Sequence, residues 1–60
     1  MEKEVLIEKI VKFMNEEARS CSMEPGVMTA EYIARMWGGE VPVDEIAEVL
    51  EEAKMKYRVG

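Results

Sequence analysis

The sequence predicts a mainly α fold, a three-helix bundle around one core, with room for a minimal two-strand β element. Two observations carry this. Apolar residues recur at intervals of three and four in three separate segments. Between those segments stand Pro25-Gly26 and then Gly38-Gly39 with Pro42, residues that stop helices and favour turns. Length then limits the architecture, since a chain of 60 residues buries only roughly 60% of its unfolded surface and holds one core at most. Residues 1–60 are therefore read as one domain.

The first helix is expected from about Glu2 to Arg19, with Leu6, Ile7, Ile10, Val11, Phe13, Met14 and Ala18 on one broad face. Glu4, Glu8, Lys12, Glu16 and Arg19 form the other, solvated face. Glu8 and Lys12 stand there in the favourable i to i+4 order, worth about 0.2–0.5 kcal/mol. Pro25-Gly26 breaks the pattern because Pro fixes φ and Gly accepts positive φ. Val27-Met28 follows as an apolar step that suits a very short strand.

Thr29 is a natural N-cap, its hydroxyl able to accept from an unpaired backbone N–H of the next turn. A second helix should run from about Ala30 to Trp37, with Ala30, Ile33, Ala34 and Trp37 on its inner face and Gly38-Gly39 supplying the left-handed closure. So short a helix needs tertiary packing to persist. Pro42 suits the first turn of a third helix. Asp44 and Glu45 match that helix's positive end. Val43, Ile46, Ala47, Leu50, Ala53 and Tyr57 give it one apolar stripe through about Lys56. Tyr57-Arg58-Val59 either extends the helix or peels away as a short strand.

Composition narrows function mainly by exclusion. Hydrophobic residues at 48% and charged residues at 35% are too plentiful for a disordered tail. Apolar runs such as Val5 to Ile7 fall far short of the ~20 residues that cross a bilayer. Met1 leads straight into Glu2, Lys3 and Glu4 rather than into a leader-like apolar stretch, which predicts a cytoplasmic protein. Cys21 is the single cysteine and there is no histidine, so internal disulfides and the usual zinc ligand sets cannot be assembled.

Catalysis lacks its usual raw materials for the same reason. No nucleophile-base pair or glycine-rich phosphate loop can be written down, and the fold offers little volume for a pocket of ~300 Å³ or more that would desolvate a carboxylate. Cys21 near Arg19 has no defined base beside it, and a loop cysteine of that kind is usually incidental. The reading is non-enzymatic, with no cofactor and no metal site.

Two helices joined by a short glycine-containing turn are the core of a helix-turn-helix. The segment TAEYIARMWGGEVPVDEIAEVLEEA resembles the winged helix-turn-helix superfamily. Ile33 and Ala34 stand at the packed positions of the first helix of the pair, Gly38 lies four residues after Ala34 as the turn glycine does, and Ile46 with Leu50 would anchor the second. The turn is about two residues longer than in the tightest versions of the motif. The resemblance implies a long first helix, an apolar step at Val27-Met28 pairing with a strand near Tyr57–Val59, and a wing that is absent or reduced, because the sequence stops at Gly60.

In DNA-binding members the second helix of the pair enters the major groove. Here that helix carries Asp44, Glu45, Glu48, Glu51 and Glu52 with no Lys or Arg among them. Carboxylates brought toward phosphates are repelled and release no counterions, and the formal net charge of −5 points the same way. The function expected is a protein-protein interaction or regulatory module, an adaptor or subunit of a larger assembly, contacting its partner through Asp44, Glu45, Glu48, Glu52 and Met36.

Of the six methionines, Met36, Met23 and Met28 are least fixed by periodicity and so best suited to an exposed apolar contact. Trp37 is an aromatic of the kind enriched at interaction hot spots, although its spacing from Ile33 fits core packing. One alternative is a DNA-binding transcriptional regulator that uses Arg35, Lys54, Lys56 and Arg58, with Tyr57 available for stacking. Against it, cations in a last turn ordinarily meet the helix's negative end. A second alternative is a structural homo-oligomerisation unit with methionines in its interface.

Overall fold

A computed structural model describes residues 2–21 and 24–59. Helix α1 spans Lys3–Cys21, α2 spans Ala30–Met36 and α3 spans Val43–Val59, with a single 3-10 turn at Pro25–Val27 between the first two. Leu6, Ile7, Ile10 and Met14 of α1 fall within about a quarter of the helix circumference, and all are buried. They face Ile46, Val49 and Ala53 of α3 and Ile33 and Ala34 of α2 in one core. Helices α1 and α3 make the largest interface and α2 packs chiefly on α3. Ile10, Met14, Ile33 and Ile46 are wholly or almost wholly out of water, and each such side chain contributes about 1.5–3 kcal/mol by burial.

Local chemistry sets both ends of α2. The backbone N–H of Tyr32 donates to Thr29 Oγ1 at 3.1 Å, with Thr29 extended at φ −106°, which is the expected N-cap. At the other end Gly38 N–H donates to the Arg35 carbonyl and Gly39 N–H to the Ala34 carbonyl. This paired closure is a Schellman motif. Both glycines have positive φ, +69° and +79°, a conformation that costs a side-chain-bearing residue about 1–2 kcal/mol. Pro42 then precedes α3, its carbonyl accepting from the Ile46 N–H at 3.3 Å.

The structure corrects several expectations. No strand occurs among the described residues. Val27 is drawn into the 3-10 turn, where its N–H donates to the Glu24 carbonyl, and it is left exposed; only Met28 enters the core, at 2% exposure. The contact role expected of Met28 is therefore excluded, and Met23 lies outside the described residues.

Tyr57-Arg58-Val59 continues α3. Tyr57, four residues beyond buried Ala53, still packs against the core, and each further residue adds one helical hydrogen bond to a nucleus already formed. The first helix likewise runs on to Cys21 rather than stopping at Arg19.

The phase of α3 also differs from the expected stripe. Val43 and Ala47 are exposed whereas Val49 is buried. The cause is the position of α1, which covers the Val49 side of α3 and turns the buried centre of the helix toward it. Val41 in the α2–α3 connection is buried as well, although a lone loop residue has no periodicity to announce it.

Candidate partner-binding face

The expected contact residues sit on the N-terminal half of α3. Asp44, Glu48 and Glu52 repeat every four residues and so rise along one side of the helix, with Glu51 beside them and Glu45 turned toward α1. All are exposed. Facing them, α1 presents Lys3, Glu4 and Glu8, and two adjoining open grooves form between the helices. The first, of about 300 Å³, is lined by Lys3, Leu6, Glu45, Glu48 and Val49. The second, of about 510 Å³, is lined by Glu4, Ile7, Glu8, Glu52, Met55 and Lys56. They reach the size that the sequence argued against, but they are open to solvent and leave their carboxylates exposed.

Two lysines cross this boundary. Lys3 Nζ lies 2.9 Å from Glu52 Oε1 and Lys56 Nζ lies 3.9 Å from Glu8 Oε1. The Lys3 amine is held above the ordinary lysine range by its hydrogen bond to Glu52, then by the charge of Glu52 and, more weakly, of Glu48, against a small opposing effect of desolvation. Both pairs stand in water, where such pairs contribute little to stability. Glu4, Glu45 and Glu48 make no ion pair among the described residues.

Met36 is exposed, as a contact residue must be, but it belongs to α2 and lies outside both grooves. The methionine that does join the carboxylates is Met55, 58% exposed in the second groove. Sequence reasoning passed over it, although its position three residues after Glu52 places it on the acidic side of α3.

The basic residues of the alternative reading are divided rather than gathered. Lys54 and Arg58 share a third groove of about 290 Å³ with Glu24, Gly26 and Tyr57. There the Lys54 ammonium lies 3.3 Å from the Gly26 carbonyl and 4.0 Å from Glu51. Lys56, two residues further along, points to Glu8 on the other side of the helix, and Arg35 stands exposed on α2. Tyr57 keeps its ring against the core.

Trp37 is half-buried against the core, edge-on to Phe13 with ring centroids 5.8 Å apart, and the Lys9 ammonium lies 4.8 Å above its ring. Phe13 also meets Tyr32 at 6.2 Å, and the Tyr32 hydroxyl donates to Glu17 Oε1. These contacts join α2 to α1, which gives Trp37 a packing role.

Among the described residues no group of His, Cys, Asp and Glu has the arrangement of a metal site, and no helix is long and apolar enough to cross a membrane. No protein-family model, curated protein or solved structure matches the chain.

Proposed function

We propose that this chain is a small non-enzymatic interaction module of helix-turn-helix type, with α2 and α3 as the helix pair, that acts through protein contacts made by the outward side of α3. The observation that carries this reading is the sign of that side. Asp44, Glu45, Glu48, Glu51 and Glu52 are all exposed, and the cation that answers them at closest range is Lys3 of the same chain. A major groove lined by phosphates repels such a helix, whereas a protein partner can meet it with Lys or Arg. The two-helix arrangement and the glycine turn support the helix-turn-helix assignment; a wing has no counterpart among the described residues.

The test has two arms. Labelled duplex DNA titrated at low salt should show no saturable binding, and binding that weakens steeply with added salt would sink the proposal. In the second arm the triple variant Glu45→Lys, Glu48→Lys, Glu52→Lys should lose a partner that the unaltered chain captures from its native extract. Undiminished capture removes this side of α3 as the contact. Light scattering on the same samples identifies a homo-oligomer, which would appear as a multiple of 6.9 kDa.

A further inference from the structure

Resting on that reading, we infer that the α1–α3 grooves receive a basic amphipathic helix from another protein, with an aliphatic side chain laid on Met55 and Lys or Arg residues set against Glu4, Glu45 and Glu48. The fold leaves Met55 exposed in a groove whose walls include Ile7 and the carboxylates of Glu4, Glu8 and Glu52. A flexible, polarizable side chain in that setting offers an apolar contact that adapts to its occupant.

Charge selects what the occupant must carry. Within the chain, Lys3 reaches across to Glu52 at 2.9 Å and Lys56 comes within 3.9 Å of Glu8, so Glu52 and Glu8 are already answered by cations. Glu4, Glu45 and Glu48 remain without such a partner among the described residues. The grooves thus present a net negative rim around the exposed Met55, over a floor of buried Leu6, Ile7 and Val49. A complementary ligand brings several cations and an apolar row on one scaffold.

Backbone form follows from what the molecule lacks and has. No strand edge exists among the described residues on which an extended peptide could add main-chain hydrogen bonds. The aromatic residues that could cradle a proline-rich segment, Phe13, Tyr32 and Trp37, form their cluster on the α2 side of α1. A helix laid along the boundary of α1 and α3 would set its anchors three and four residues apart over these grooves. An anionic membrane is repelled by the same rim.

The experiment uses the full 60-residue chain with methyl-labelled methionines and a synthetic amphipathic peptide of about 18 residues, Leu on one face and Arg on the other. The Met55 methyl resonance should shift on titration. Met55→Ser, and separately the pair Glu45→Lys with Glu48→Lys, should each weaken binding about tenfold or more. The control pair Glu16→Lys with Glu40→Lys changes net charge equally but lies outside the grooves, and should change affinity less than about twofold.

A peptide with every Leu replaced by Ser should bind at least about tenfold more weakly. Equal weakening by both charge pairs, a Met55 methyl that stays put at saturation, or undiminished binding of the Ser peptide each overturns the inference in favour of unspecific attraction. Failure of the amphipathic peptide to bind at all also overturns it, while loss of native partner capture in the Glu45, Glu48, Glu52 triple variant would still uphold the broader reading. Saturable DNA binding removes both.

Discussion

The two flanks of α1 are built in opposite ways. Toward α2, Phe13 meets Tyr32 and Trp37, Lys9 covers the Trp37 ring, and the Tyr32 hydroxyl reaches Glu17. Toward α3, beyond the buried row of Leu6, Ile7, Ile10 and Val49, the margin is charged, open and spanned by the exposed pairs Lys3–Glu52 and Lys56–Glu8. One flank is closed by rings that satisfy one another. The other keeps its polar groups in water, where they contribute little to folding and are free to meet something else. One flank thus holds the short chain together, and the other is left exposed.

The comparison breaks if substitutions on the two flanks have similar effects. Ile33→Ala, at the centre of the core on α2, sets the upper end of the scale with an expected loss of about 2–5 kcal/mol in urea unfolding. Phe13→Ala removes both ring contacts and should cost about 2–3 kcal/mol, below the range for a fully buried ring because Phe13 is only partly covered. A value under about half a kcal/mol, the size of an ordinary surface change, would mean that the aromatic flank does not hold α2.

Gly38→Ala should cost about 1–2 kcal/mol. Its added methyl would meet no atom within 4 Å, so the loss is one of backbone conformation alone, and Gly38→Asn should recover part of it. Thr29→Ala should lower the thermal midpoint by the equivalent of about 1 kcal/mol.

On the charged flank the expected effect is smallest and shows mainly in its pH dependence. The Lys3 amine has its folded-state pKa raised by Glu52, so its favourable contribution is complete below the pKa of an unfolded lysine and disappears as pH climbs through the folded value. Lys3→Met should therefore cost little at neutral pH and remove a shallow step at alkaline pH. A large loss for Lys3→Met at neutral pH would show that the two flanks are not so different after all.

Much of this architecture could be read before any coordinates, because its determinants are local. Apolar spacing located three helices, the Thr29 hydroxyl located the start of α2, and Gly38-Gly39 located its end. What escaped was decided at longer range. The exposure of Val43 and Ala47 and the burial of Val49 depend on which side of α3 is covered by α1, and a helical wheel with several apolar residues permits more than one phase.

Met28 and Val41 are buried as single residues in connections, where no repeat exists to detect them. The acidic residues of the candidate face were legible as a composition of α3, but their pairing was not. Lys3 finds Glu52 and Lys56 finds Glu8 only once the first and last helices lie side by side. Met55 is the intermediate case. Its place beyond Glu48 and Glu52 was on the wheel, but the contact methionines were sought at Met23, Met28 and Met36, where periodicity fixes them least.

The brevity of α2 gives its two caps an importance they would not have elsewhere. An α-helix leaves four N–H groups without partners at its start and four carbonyls at its finish, and α2 has only seven residues. Nearly every peptide unit in it is therefore terminal, and there is no interior to dilute a fault at either end. Thr29 and the glycine pair consequently govern the whole element, so that a change of one hydroxyl or one hydrogen there alters the bonding of a helix rather than its trim.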